Sequence, residues 1–471
     1  MKKLLSALIC GCAAYLHGSV AITAPTNGAT VQSPVLVTAT GKSTSAVTAM
    51  QIYVDHVLQT TIKASALSTY LALAPGSHTI VVKEWDRQGT NTMASLTVTV
   101  AASTPSTGRQ LYVAPSGSDS GDGSVTRPWH TLSHADANAR PGDVIHVAAG
   151  TYPSSAESGA RLKTVNSGTA QAPIVWVSDT KWTAKITSTV TGNNAAWWSA
   201  GNYVQIQGFE ITGSGALGIY NTGSHTRIIG NHIHDIPATG CPTAGGAGIH
   251  DGNYAASDDD VIGNWVHDIG DPSHPCARVH GIYHANLRGH IQNNVVYRNQ
   301  GWGIHTWHAA SNVTISGNTV FANGWGGIII GATSPDFPSG SGLNDYTVVT
   351  DNIVYRNGLS PNVSGYGIDE YGDLGTHNQY QNNLVTQNGP ADWHLFATVA
   401  QGNISTAPAF VNYLDNGLGD YTLLSTSPAV GAGTSVGAPA QDFRNGPRPT
   451  GSRWDIGAYQ YAATPGVYPQ P

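Results

Sequence analysis

The chain has 471 residues, of which 56 are Gly and only 10% are charged, and its formal net charge is −7. So little charge excludes long solvated helices, coiled coils and charge-driven disorder. The acidic balance excludes a general nucleic-acid binder, which needs a basic footprint.

In chain order, residues 1–21 read as a secretory signal. Lys2 and Lys3 give a positive start, Leu4 to Ala14 is mostly apolar, and Ser19-Val20-Ala21 offers a small-x-small cleavage site. Cleavage near Ala21 predicts an exported protein, extracellular or periplasmic, and leaves Cys241 and Cys276 as the mature cysteines. Two cysteines in an oxidising compartment predict one disulfide. No later segment is apolar and long enough to span a bilayer, so no membrane contact is expected. Residues 22–102 alternate apolar and polar in short stretches such as Val35 to Thr40 and Ala49 to Val54, broken by Pro, Gly and Asn turns. That is the pattern of a small β-sandwich. A Ser/Thr/Pro linker follows at 103–109.

From residue 110 to 471 a repeat takes over. GNHIHDI from Gly230, GNWVHDI from Gly263, NNVVYRN from Asn293, GNTVFAN from Gly317, DNIVYRN from Asp351 and NNLVTQN from Asn382 share a second-position Asn. These Asn residues, at 231, 264, 294, 318, 352 and 383, recur every 24 to 34 residues. Between them stand GIYN at Gly218, GIHD at Gly248, GIYH at Gly281, GIHT at Gly303, GIII at Gly327 and GIDE at Gly367. Three short strands per coil cannot bury their inner faces alone. Stacked, they form a parallel solenoid with Ile and Val inside and turn Asn side chains bonded from coil to coil. A β-propeller wants four strands and roughly 40 or more residues per unit. The sequence therefore predicts an all-β chain: a right-handed parallel β-helix with terminal caps, preceded by a small β-sandwich.

The opening LYVAPSGSDSGDGSVTRPWHTLSHADANARPGDVIHVAAGTY resembles the N-terminal cap of the pectate-lyase-like β-helix superfamily. The ending DYTLLSTSPAVGAGT with DFRNGPRPTGSRWDIGAYQY is similar to the closing segment of its exported bacterial members. ITAPTNGATVQSPVLVTATG and PGSHTIVVKEWDRQGT resemble bacterial immunoglobulin-like modules appended to secreted enzymes. The resemblance covers residues 110–461 of the helix, and its members include lyases, hydrolases, epimerases and phage tailspikes, so it speaks for fold more than for chemistry. It implies that the Gly-Ile strands form the floor of a substrate groove.

On those strands, alternation turns Ile219, Ile249, Ile282, Ile304, Ile328 and Ile368 inward and Tyr220, His250, Tyr283, His305, Ile329 and Asp369 outward. The preceding Gly faces outward too, leaving room for a sugar. Asp251, His284, Trp307, His308, Glu370 and Tyr371 are expected at the groove just beyond. Tyr220, Trp307, His308, Asp369, Glu370 and Tyr371 are candidate substrate-binding residues. Cys241 and Cys276 stand seven and five residues before Gly248 and Gly281, on neighbouring coils. They are expected to bridge and to hold Arg278 and His280 at the groove wall. His234 and His267, level with Tyr297, Phe321 and Tyr355, read as a structural stack. Asp258 to Asp260 form a solvated turn whose clustered oxygens suit calcium.

The chemistry predicted is β-elimination on a uronic-acid-containing polysaccharide. Such a lyase neutralises the uronate carboxylate, removes the C5 proton and assists the departing oxygen. The resemblance implies a Lys or Arg base, commonly with Ca²⁺. Here no Lys follows Lys185, and Lys163, Lys181 and Lys185 are expected on the first coils, away from the groove centre. His250, His284 and His305 are therefore the candidate bases, with Tyr283 as acid and Arg278 as carboxylate partner. Asp251 with these imidazoles is a candidate metal set. A hydrolase needs two carboxyl groups about 5–9.5 Å apart. Asp251 and Asp369 are four coils apart, about 19 Å at 4.8 Å per coil, and Asp369 and Glu370 point to opposite faces. An epimerase shares the proton abstraction. A non-catalytic carbohydrate binder would use Trp302, Trp307, Trp325 and Tyr371 but gains little from a strip of titratable groups. The expected partner is an acidic polysaccharide and the expected state a monomer.

Overall fold

The computed structural model describes residues 18–466 apart from 32–34, 72, 74–75, 101–107, 155–161, 339, 341, 361–362, 397–399, 436–438, 450–453 and 464. Most of the expected signal segment and of the linker therefore lies outside the described residues. The chain divides into two units, Met1–Ser103 and Thr104–Pro471.

In the first unit, Ser19–Ala24, Val35–Lys42 and Ala66–Leu71 form a three-stranded sheet. Five further strands, from Thr30–Val31 to Asn91–Val100, form a second sheet. Alternation buries Val37, Met50, Ile52, Ile80, Val82 and Val98 completely, giving the expected sandwich. The strand Ser19–Ala24 spans the expected cleavage point at Ala21.

The second unit is the expected solenoid. Parallel sheets of ten, nine and nine strands run its length, and each coil gives one strand to each sheet. In one coil these are Ser257–Ile262, Trp265–Ile269 and Val279–His284. They belong to what we call the first sheet, the second sheet and the groove sheet. All six Gly-Ile isoleucines are fully buried in a core that continues from Leu111 to Val385.

The Asn turn lies between the first and second sheets. Asn231, Asn264, Asn294, Asn318, Asn352, Asn383 and Asn403 each pass an Nδ2–H···Oδ1 bond of 2.9–3.1 Å to the next. The residue before each is left-handed, with φ between 53° and 65° at Gly230, Gly263, Asn293, Gly317, Asp351, Asn382 and Gly402. Gly, Asn and Asp are the residues that tolerate this conformation, which is why the repeat opens GN, NN or DN. A second ladder, Asn299–Asn323–Asn357–Asn388, closes the other end of the second-sheet strands.

The helix Leu132–Asn138, N-capped by Thr131, buries Leu132 and Ala135 in the solenoid core and caps its first coils. Beyond the last coils the chain folds back, so that Phe410, Tyr421, Phe443 and Ile456 cover Val295, Tyr297, Phe321 and Ile353 on the outside of the second sheet.

Candidate active site

Register along the groove sheet places Lys163, Trp198, Tyr220, His250, Tyr283, His305, Ile329, Asp369 and His394 in one outward ladder. A cleft of about 460 Å³ opens over its middle. Tyr220, His250, Arg278, His280, Tyr283, His305, Trp307 and His308 all line it. Most of the residues expected from sequence thus converge on one site.

The rings are packed against one another. His250 stacks on Tyr283 at 4.8 Å, and His305 meets the far side of Tyr283 edge-on at 5.1 Å. Nδ1 of His305 lies 3.0–3.2 Å from the ring nitrogens of His280, which leaves its Nε2 for the cleft. Burial lowers His250 to about 4 and His305 to about 3, and it pushes His280 well below its ordinary value, helped by the neighbouring imidazoles. All three are therefore neutral near pH 7. Burial raises Tyr283, so its phenol keeps its proton. The Arg278 side chain is exposed on the wall and makes no ion pair or hydrogen bond among the described residues, while its backbone carbonyl accepts from the amide of Gly246. Among the described residues the lining contains no Asp or Glu.

Three expected groove residues lie elsewhere. Asp251 and His284 are fully buried, with His284 Nδ1 2.8 Å from Asp251 Oδ2 but out of line for a hydrogen bond. Glu370 is fully buried as well, accepting from Tyr380 OH and from the amide of Phe396. The strands include the fourth motif residue, ending at Asp251, His284 and Gly372, so alternation carries these side chains inward. His284 is thus withdrawn as a base, Asp251 as a groove metal ligand and Glu370 as a sugar contact. Asp369 does face outward but pairs with His394 at 2.7 Å, beyond the apolar rung Ile329 and outside the cleft. Tyr371 is exposed and stacks on Trp307 at 5.7 Å.

The glycines also differ from expectation. A Cβ on Gly248 or Gly281 would come within 2.5 Å of Val266 or Val296 in the core. Packing against the second sheet, not substrate, requires them. Lys163 does reach the groove face, lying 3.8 Å over the Trp198 ring, but three rungs from His250. Two contributors went unseen in sequence because they sit on aperiodic loops. Tyr254 stacks on His308 at 4.0 Å, and Asp336 holds His308 Nδ1 at 2.6 Å.

Calcium does not fit here. The cleft's polar side chains are imidazoles, phenols, an indole, a guanidinium and those of Asn193 and Thr243, with no carboxylate among the described residues, whereas calcium takes six to eight oxygens. The Asp258–Asp260 run is spent elsewhere: Asp258 on Arg288, Asp260 on His290 and Arg227, and Asp259 inward on Thr226 and Asn286.

Cys241 and Cys276 are bonded, with Cα atoms 5.7 Å apart and a sequence separation of 35. Their loops carry Thr243 to Gly246, Ala277 and Arg278 into the cleft wall. Closing a loop of that length is worth roughly 3–4 kcal/mol in the chain-entropy model. Cys241→Ser is expected to lower the melting temperature of the non-reduced protein to that of the reduced wild type. An unchanged melting temperature in both would show that the bond stabilises nothing.

A parallel β-helix with a polar cleft on the outer face of one sheet is the class this architecture defines. The chain belongs to the Pel9A-like family: the model described as "Pel9A-like, right handed beta helix region" matches residues 111–394. A bacterial Ig domain model matches residues 19–82. Pectate lyase L of Dickeya chrysanthemi is 29% identical over 150 residues, 29% of this chain and 33% of that protein. The uncharacterized protein YwoF of Bacillus subtilis (strain 168) is 28% identical over 148 residues, 28% of this chain and 30% of that one. The match thus spans about a third of the length of these curated relatives. The crystal structure of pectate lyase Pel9A superposes with a TM-score of 0.52 at 19% identity, covering 76% of this chain and 98% of that one. That is a likeness of fold.

Proposed function

We propose that this protein is an exported lyase, released by cleavage near Ala21, that cleaves a uronic-acid-containing polysaccharide by β-elimination. The observation that carries the reading is an unpaired Arg278 facing the same cleft as His305 and Tyr283. Arg278 pairs with the uronate carboxylate, which acidifies the C5 proton. His305, aimed by His280, takes that proton. The electron pair left on C5 forms the C4–C5 double bond as the C4–O4 bond breaks, and the Tyr283 phenol protonates the departing oxygen. The bound carboxylate sets an anion beside His305 and shifts it upward, toward the working range of a base. Trp307, Tyr371 and Tyr220 offer ring faces to neighbouring sugars.

Similarity to proteins named pectate lyase supports this class. The absence of Asp and Glu from the described cleft lining speaks against a glycoside hydrolase. The test is ultraviolet absorbance of newly formed unsaturated uronate on a panel of acidic polysaccharides. A growing signal is expected, unchanged by a calcium chelator. Reducing ends without that signal would mean hydrolysis, and neither would mean epimerisation or binding alone.

A further inference from the structure

The stack of aromatic rings on the second sheet contains more than packing. His232 and His234 stand on the strand His232–Ile236, and His267 on the next coil, at Trp265–Ile269. One ring nitrogen from each of the three lies within 4.8 Å of the other two. From this convergence we propose a transition-metal site, of Zn²⁺ type, formed by Nε2 of His232, His234 and His267 and linking two adjacent coils on the second sheet.

The hydrogen bonds decide which nitrogens are available. His234 Nδ1 is held by Asp235 at 2.9 Å and His267 Nδ1 by Asp268 at 2.7 Å. Each carboxylate fixes its ring as the Nδ1–H tautomer and turns the Nε2 lone pair inward, which is how metal-ligating histidines are oriented. His234 Nε2 is buried and makes no hydrogen bond. His267 Nε2 faces His232 Nε2 at 2.8 Å. Two nitrogens on one Zn²⁺ at about 2.0–2.1 Å stand roughly 3.0–3.4 Å apart, so a small opening of this contact admits the ion. His232 then carries its hydrogen on Nδ1 instead of Nε2, a tautomer change without net proton loss.

Position and charge favour the same outcome. Trp182 and Trp265 flank the His232 ring at 5.1 and 4.6 Å and fix its plane. Of the cations nearby, Lys185 pairs with Glu210 at 2.9 Å, Arg298 pairs with Asp268 at 2.8 Å, and Lys181 lies over the Trp182 and Phe443 rings. The Glu210 carboxylate lies 3.6 Å from His234 Nε2 and offsets an incoming dication. Imidazole donors select zinc, copper or nickel over calcium and magnesium, and a water completes a four-coordinate shell.

The test uses the full chain, stripped with chelator, titrated with zinc chloride and separately with calcium chloride by calorimetry and thermal unfolding. One zinc ion per chain is expected to bind and to raise the melting temperature, with no response to calcium. His267→Phe keeps a ring in the stack, as Phe321 does two rungs on, and should abolish the zinc response. Asp235→Asn and Asp268→Asn suit the left-handed backbone there, at φ 52° and 53°. Each should weaken zinc about 10–100-fold. No zinc binding by the wild type would overturn the proposal. So would binding that survives His267→Phe and is lost in His305→Ala, which would place the ion at the groove imidazoles.

Discussion

The variant His305→Ala is expected to lower kcat on the polysaccharide that gives the unsaturated product by about 10²–10⁴-fold, the usual worth of a positioned general base. KM should move little, because Arg278 and the aromatic faces that hold the sugar stay in place. The pH profile separates loss of the base from a general disturbance. In the free protein His305 sits at about 3, lowered first by burial and then by His308 and His250. It is neutral above that value and becomes useless as a base once protonated. The acid limb of kcat/KM, which reports the free enzyme, is therefore expected near the acid edge of protein stability. The limb of kcat should lie at higher pH, because the bound uronate anion favours the imidazolium. His250→Ala is the comparison. Its ring stacks on the opposite face of Tyr283, so its loss should cost less and leave the kcat limb in place. Undiminished turnover in His305→Ala would remove it from the mechanism.

Low pH also acts on the fold. His232, His250 and His305 are held below their unfolded value near 6.5. Their contribution to stability is full above about pH 6.5 and is lost as the pH falls toward the folded values, at up to about 1.4 kcal/mol per pH unit for each group.

The solenoid could be read from sequence because parallel coils stack in register, so one structural period is one sequence period. The buried Ile of each Gly-Ile strand and the turn Asn recur for that reason. What escaped was whatever depends on where a strand ends. Asp251 and His284, the fourth residues of GIHD and GIYH, were read as lying just past the strand, but the strand includes them and alternation turns them inward. Lys163 was placed on the first coils, away from the groove centre, and it stands three rungs from His250. Asp336 and Tyr254 reach His308 from loops outside the repeat, where no period announces them. His232 was overshadowed by its neighbour His234, and only the coil-to-coil contact with His267 gives it meaning.

The Asn ladder gives the largest expected change in stability. Asn318 is fully buried. Its Oδ1 accepts from both the backbone and side-chain nitrogens of Asn294, and its Nδ2 donates to Ile291 O and to Asn352 Oδ1. Asn318→Ala removes all four bonds, yet the cavity left is too enclosed for water to replace each partner. Asn352 Oδ1 keeps a donor, the amide of residue 318 itself, and Asn294 Nδ2 keeps an acceptor, Val261 O. Leaving the Asn294 amide and Ile291 O without this side chain, at about 1–3 kcal/mol each, predicts a loss of about 2–6 kcal/mol. In a solenoid that loss falls on one interface between coils, so opening is expected to begin there and not at the ends. At the far end of the ladder, half-buried Asn403 accepts from Asn383 where water can take its place. Asn403→Ala is therefore expected to cost about 1 kcal/mol. Guanidinium unfolding of the two variants, with hydrogen exchange at the amide of Asn294, compares them directly. Equal losses would mean that the ladder shapes the turn without holding the coils together.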